Sequence, residues 1–140
     1  MPELTLYQMS IYTTALLAIA FMQLFLIAPG RGWIGHFSLP ARRRLIAAHR
    51  FGGYIGLLII LLVSYTCVVY IGVTFSPFRV AVHSVVGTVM IVAIICKILI
   101  TRGVPRLYLS LPMIGAILFT TIIITWVISA GWYFYYVGFS

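Results

Sequence analysis

The chain has 140 residues, of which 64% are hydrophobic and only 7% are charged. Soluble domains carry about 25% charged residues, so this composition excludes an ordinary soluble enzyme and predicts an integral membrane protein. The net charge of +8 does not indicate nucleic-acid binding, because the basic residues lie between apolar segments, where such residues set the orientation of a membrane protein.

Four apolar segments follow one another along the chain, and each is long enough to cross a bilayer at about 20 residues per span. They predict one all-α transmembrane domain over residues 1–140, a four-helix bundle with spans at about 7–28, 47–70, 79–100 and 107–133. The first span is read as retained rather than as a signal peptide, because basic residues follow it instead of preceding it. Its polar residues Gln8 and Gln23 are expected to bond neighbouring helices.

The basic residues are distributed very unequally between the two sides of the predicted bundle. One side of the predicted bundle has only Arg79, and the other side holds Arg31, Arg42, Arg43, Arg44, Arg50, Lys97, Arg102 and Arg106. By the positive-inside rule, the arginine-rich loops are cytoplasmic and both termini lie on the outer side of the plasma (inner) membrane. Trp33 and Phe37 predict that the connector at residues 30–46 lies along the lipid interface, where its arginines contact anionic headgroups.

A short motif, Ala-x-His-x-x-x-Gly, opens both the second and the third span. It contains His49 and Gly53 in the first copy and His83 and Gly87 in the second, and the histidines are 34 positions apart. A glycine four residues after a histidine lies on the same helical face, so an imidazole nitrogen stands beside a surface without a side chain. A flat ligand bonded to His49 or His83 through a metal ion could lie against that surface.

In antiparallel neighbouring spans, His49 and His83 stand at opposite ends and cannot bind one metal ion together. They could hold two cofactors, or one cofactor with another second ligand. Lys97, 14 residues after His83, falls on the His83 face at the depth of His49. A neutral lysine can donate a lone pair to iron; the alternative is that Lys97 snorkels to the headgroups.

Arg50 follows His49 directly, and Arg79 precedes His83 by one helical turn. Either arginine could bind the propionates of a b-type haem, or could simply mark the interface. The histidines themselves could be structural hydrogen-bonding residues, and histidine also ligates the magnesium of chlorophyll. His36, in the connector, meets water or headgroups, or folds back as an axial partner of His49.

These residues resemble a known arrangement. His49-Arg50-Phe51-Gly52-Gly53, then His83-Ser84-Val85-Val86-Gly87, Lys97 and the later Trp126-Val127-Ile128-Ser129-Ala130 are similar to small bacterial b-type cytochrome-like membrane proteins of the transmembrane cytochrome b and ferric reductase group. The resemblance implies haem b, one or two per chain, and transmembrane electron transfer. It departs from the group at Ser64-Tyr65-Thr66-Cys67, where such proteins tend to carry a further histidine.

Two functions follow from this reading. The first is a haem-binding electron-transfer subunit of a larger membrane redox complex, with other subunits and lipid as partners and a quinone admitted near the arginine-rich connector. The second is a cofactor-free accessory subunit. The single acidic residue, Glu3, precedes the first span, which excludes carboxylate acid–base catalysis inside the membrane, so an enzyme acting alone is not favoured.

Overall fold

The structure, a computed structural model, describes residues 5–71, 78–103 and 109–138. This part of the chain is helical and has no strand, which confirms the all-α prediction. The helices are α1 (Leu6–Gly30), α2 (Leu39–Thr66), α3 (Phe78–Gly103), α4 (Leu111–Trp126) and α5 (Trp132–Gly138). A π-helical turn, Cys67–Ile71, continues α2, and a second one, Val127–Gly131, joins α4 to α5.

Four helices are long and apolar enough to cross a membrane: Leu6–Gly30, Leu39–Val69, Phe78–Gly103 and Leu111–Val137. Their number matches the prediction and indicates a multi-pass membrane protein. The second helix begins at Leu39, earlier than the apolar segment expected from about residue 47. Pro40 in the first turn favours a helix start, and the arginines that follow are good helix formers, so the helix extends beyond its apolar part. The expected loops at 72–78 and 101–106 fall mostly outside the described residues.

The ends of α1 follow local chemistry. The Thr5 hydroxyl accepts from the Gln8 backbone N–H (3.3 Å), and the Gln8 side chain accepts from the Thr5 N–H (2.9 Å), a reciprocal capping box. Gln8 therefore bonds its own helix, and the expected bond to a neighbouring helix is wrong. Beyond α1, Gly32 and Gly35 adopt positive φ values of 76° and 73°, which only glycine adopts freely, and they turn the chain toward α2.

The helices pack in the order α2, α1, α4, α3. The indole Nε1 of Trp126 donates to the Thr14 hydroxyl (2.9 Å), and the rings of Phe21 and Phe119 meet edge to face at 5.1 Å, so α1 and α4 are antiparallel. The starts of α1 and α3 and the end of α5 share one end of the bundle, called here the terminal end. The opposite end holds residues 31–38, the link between α1 and α2, and is called the connector end.

Helix α2 packs closely on α1 through two glycines one turn apart. A Cβ added at Gly52 would clash with the side-chain amide of Gln23, and one added at Gly56 would contact Leu16 and Ile19 at 3.6 and 3.8 Å. Small residues spaced four apart let the backbones of membrane helices approach. Gly52 and Gly56 therefore lie in the interface between α1 and α2, and Gly52 is the more closely approached of the two.

The buried core lies at mid-depth and takes residues from all four spans: Leu16, Ala20, Ile60, Met90 and Ile122. Consecutive spans two and three were expected to be direct neighbours, but the described backbones of α2 and α3 make hardly any close contact. They meet through the mid-depth core, where Ile60 and Met90 belong to the same buried cluster. Most contacts between the pair α1–α2 and the pair α3–α4 are instead made by α1 with α4 and its π-helical continuation.

Candidate functional site

His49 lies half-buried on α2 toward the connector end, and its ring is held by a hydrogen bond. The Nδ1 atom is 3.3 Å from the backbone carbonyl oxygen of Gln23 on α1. A carbonyl oxygen only accepts, so Nδ1 must carry the hydrogen of this bond, and Nε2 of the neutral ring then keeps its lone pair. Histidines that ligate metals are commonly oriented in this way by their other nitrogen.

The helical face beside His49 is open at Gly53, which is exposed on the outside of the bundle. Gly53 lies one turn after His49 and shares a helical stripe with Ile60, which is buried. A Cβ placed at Gly53 would meet no atom within 4 Å, whereas one placed at the adjacent Gly52 would clash. Gly53 therefore offers a bare, exposed backbone surface one helical turn from His49.

Lys97 comes from α3 and lies half-buried at the same end of the bundle. Its ammonium group is close enough to interact electrostatically with the His49 imidazole and with the Arg31 guanidinium. The exposed side chain of Arg50 also interacts electrostatically with His49. The described residues include no aspartate or glutamate. Positive groups brought together at membrane depth cost several kcal/mol unless they are paired, so this cluster favours the binding of an anion.

His83 lies half-buried on α3 toward the terminal end, and its surroundings differ from those of His49. A Cβ at Gly87 would meet no atom within 4 Å, so the bare surface is present here too. Arg79, one turn before His83, places its guanidinium 5.1 Å from the centre of the Trp132 ring. This cation–π contact gives Arg79 a partner within the protein and competes with the expected role in binding propionates.

The two histidines are far apart. His49 lies 11 residues along α2 from the core residue Ile60, and His83 lies seven residues along α3 from the core residue Met90, on the opposite side of the core. At a rise of 1.5 Å per residue, the two histidines are separated along the bundle axis by about 27 Å. Among the described residues, no group of three histidine, cysteine or acidic side chains comes together to hold a metal ion. Haem iron needs only one or two axial ligands from protein, so this does not decide the matter. His36 lies exposed in the connector rather than inside the bundle.

Sequence reasoning missed the role of Gln23. Its amide was expected to bond another helix, yet both Nε2 and Oε1 are buried without a hydrogen-bond partner, and its backbone carbonyl holds His49 instead. Gly56 was grouped with the histidine stripe but packs on α1. The small-x-x-x-small spacing of Gly52 and Gly56 could have revealed the interface, whereas nothing in the sequence identifies the carbonyl of Gln23 as an acceptor.

Four apolar spans with a few polar groups at each end indicate a helical multi-pass membrane protein. The chain belongs to DUF6529, a family of unknown function, which it matches over residues 5–140. We found no match among curated proteins or among solved structures.

Proposed function

We propose that this protein is a haem b-binding transmembrane electron-transfer subunit, with the haem at the connector end against His49. One observation carries the proposal: the His49 ring is held through Nδ1, which leaves the lone pair of Nε2 available, and the exposed backbone surface of Gly53 lies one helical turn away. A fixed imidazole with a free nitrogen and a bare glycine surface fits an axial haem ligand with a ring lying against the helix. A tightly packed structural histidine would not need that space.

Other residues near His49 could supply the second iron ligand and bind the carboxylate groups of a haem. Lys97 on α3 lies within electrostatic range of His49 and could supply a second ligand through a neutral amine, or else extend toward the headgroups. Arg50, with Arg31 nearby, can bind carboxylate groups at the edge of a ring by charge-assisted hydrogen bonds. Bound haem would supply one-electron chemistry, because its iron cycles between two oxidation states whose potential is set by axial ligands and burial.

The site at His83 supports a second haem less well. Arg79 already contacts Trp132, and the part of α2 at this end offers Ser64, Tyr65 and Cys67 rather than an imidazole. The proposal therefore needs one haem, at His49. The resemblance to the cytochrome b and ferric reductase group supports the same site, since His49 to Gly53 is part of the similar motif.

The charge distribution supports an orientation for this subunit. Among the described residues, the connector end holds Arg31, Arg42, Arg43, Arg44, Arg50, Lys97 and Arg102, and the terminal end holds Arg79. We infer that the connector end faces the cytoplasm and that both termini lie on the outer side of a plasma membrane. Electrons would then reach the haem near the cytoplasmic face, and other subunits or a quinone would act as donor or acceptor.

A second candidate function is a cofactor-free accessory subunit of a membrane complex. The observation that favours it is the same hydrogen bond, because a bond from His49 to the Gln23 carbonyl already links α2 to α1 and gives the imidazole a structural role. Under this alternative, the open surface at Gly53 would face a neighbouring subunit or a lipid chain.

Absorbance spectroscopy separates the two functions. The protein is purified from cells supplied with haem precursor, and reduced-minus-oxidised spectra are recorded for the wild type, His49→Ala and the control His83→Ala. We expect a reduced α-band in the wild type and in His83→Ala, and at least a tenfold loss of haem per protein in His49→Ala, because an axial ligand is removed. A Lys97→Ala variant that keeps haem but changes from low to high spin would identify Lys97 as the second ligand.

A folded but colourless wild-type protein, both purified alone and within its native membrane complex, would rule out the haem function and leave the accessory subunit. Equal haem loss in His49→Ala and His83→Ala would contradict the assignment of a single site at His49. Circular dichroism of each variant distinguishes loss of haem from loss of helical structure.

A further inference from the structure

An open groove lies on the outside of the bundle where the connector meets the first turns of α2. Its volume is about 470 Å³, within the range of small-molecule sites, roughly 300–1,000 Å³. Most of its walls are apolar and come from Phe37, Pro40, Ala41, Leu45 and Ala48. The polar lining consists of Ser38 and Arg44. A groove of this composition accepts a long apolar group with a charged or polar head.

The arginines near the groove are not equally free. The Nε of Arg42 donates to the Gly30 carbonyl (3.2 Å), and its guanidinium lies against Gly32, so Arg42 holds the connector to α2. Arg31 lies 5.7 Å from the Trp33 ring. Within the described residues, Arg43 and Arg44 are exposed and have neither a hydrogen bond nor an ion pair, and Arg44 lines the groove.

The positive charge of the arginines near the groove favours a negatively charged ligand. The described part of the chain contains no acidic residue, so these guanidinium groups have no carboxylate partner within it. A neutral quinone would use the apolar walls but would leave the positive charge uncompensated. An acidic lipid satisfies both the apolar walls and the positive charge. Its acyl chain can pack on the walls, and its phosphate can bind the guanidinium of Arg44, since guanidinium binds phosphate strongly.

We propose that the groove between the connector and α2 is a binding site for an acidic phospholipid, with an acyl chain along Phe37, Leu45 and Ala48 and the headgroup phosphate on Arg44. The lipid proposal does not depend on whether haem is bound at His49. Trp33, exposed in the same connector, is the kind of residue that lies at headgroup depth, which is where a lipid phosphate would be found.

Titration with defined lipids tests this site. Purified protein in neutral detergent is titrated with dioleoyl phosphatidylglycerol, and bound lipid is counted by native mass spectrometry while Tm is followed. Dioleoyl phosphatidylcholine has the same chains without the net charge, inorganic phosphate has the anion without the chains, and decyl-ubiquinone represents a quinone. We expect saturable binding of one phosphatidylglycerol with a rise in Tm, and no comparable effect from the other three.

Two adjacent arginines provide a matched pair of variants. Arg44→Gln and Arg43→Gln remove the same charge from the same helical turn, but only Arg44 lines the groove. Losing one arginine contact to an acidic lipid should weaken binding about fivefold in Arg44→Gln, and much less in Arg43→Gln. Ala48→Phe, which fills the groove without changing charge, should also reduce binding.

Three results would overturn the proposal. Equal weakening in Arg43→Gln and Arg44→Gln would show diffuse surface attraction rather than a site. Binding of phosphatidylcholine as strong as that of phosphatidylglycerol would remove the role of the phosphate charge. Saturable binding of decyl-ubiquinone that Ala48→Phe abolishes and Arg44→Gln leaves unchanged would assign the groove to a quinone instead.

Discussion

The backbone and the side chain of Gln23 differ in their hydrogen bonding. The backbone carbonyl oxygen bonds to His49 and orients its ring, whereas the side-chain amide is buried without a hydrogen-bond partner. Burying a polar group without a hydrogen bond costs free energy, while the backbone carbonyl does its work whatever side chain is attached. The two roles can therefore be separated by substitution at this position.

Replacing the amide by an apolar group of similar size should stabilise the fold. We expect Gln23→Leu to raise the free energy of unfolding by about 1 kcal/mol, because it removes an unpartnered buried amide. The measurement is the unfolding equilibrium in mixed detergent micelles, with haem content recorded in parallel and expected to be unchanged.

Gln8→Leu is the matched control. The Gln8 amide accepts a hydrogen bond from the Thr5 N–H in the capping box of α1, so its loss should lower stability slightly. Destabilisation by Gln23→Leu comparable to that by Gln8→Leu would show that the Gln23 amide has a partner in the functioning protein, contrary to its surroundings here.

At the scale of single residues, the sequence allowed predictions only from a repeated motif and from helical spacing. His49, Gly53, His83 and Gly87 could be identified because one motif occurs twice, and the spacing placed Lys97 at the depth of His49. The contacts of Gln23 and the stacking of Arg79 on Trp132 could not, because each joins helices whose relative positions depend on the tertiary packing.

Helix α2 presents two adjacent glycines to two different environments. Gly52 faces α1 in close contact, and Gly53 faces open space beside His49. Successive helical residues point about 100° apart, so one face of α2 is used for packing and the next one is left free. The same side chain introduced at each position should therefore have different consequences.

We expect Gly52→Val to lower the free energy of unfolding by about 1 kcal/mol, since the added side chain must displace the side-chain amide of Gln23 from the interface between α1 and α2. Gly53→Val should leave stability nearly unchanged but reduce the haem content, because it fills the bare surface. Unfolding curves and haem-to-protein ratios of the two variants check this. Similar effects of both variants on both readouts would contradict the division of the helix into a packing face and a ligand face.

The helices themselves were predictable because each apolar segment is long and bounded by glycine, proline or arginine. The start of α2 was not, since its first eight residues are polar enough to read as a loop while Pro40 and the arginines still favour helix. The π-helical turns at Cys67–Ile71 and Val127–Gly131 also carry no pattern that hydropathy could have revealed.

The whole molecule has a strongly unequal charge at its two ends, and this predicts how it lies in the membrane. Single cysteines are introduced at Leu6, at the start of α1, or at His36, in the connector, after Cys67 and Cys96 are replaced by serine. A membrane-impermeant maleimide should label Leu6→Cys in spheroplasts and His36→Cys only in inverted vesicles, because arginine-rich loops of membrane proteins are generally retained in the cytoplasm. Labelling of His36→Cys in sealed spheroplasts would reverse the orientation.

The number of spans followed from the sequence, but the packing order did not. Consecutive spans are joined by short links, which suggests a simple ring, and yet α2 and α3 hardly contact each other. The order depends on which faces match, such as Phe21 with Phe119 and Trp126 with Thr14, and such complementarity is not visible in a hydropathy pattern.

The described backbones of α2 and α3 hardly contact each other, so the helices form two pairs, α1 with α2 and α3 with α4, which join mainly between α1 and α4 and at the mid-depth core. A break in the polypeptide between residues 71 and 78 would leave the contacts within each described pair in place, and reassembly would rely on the interface between α1 and α4 and on the shared core. We therefore expect the protein to tolerate gene fission, because two separately synthesised halves would each retain the surfaces needed to associate in the bilayer.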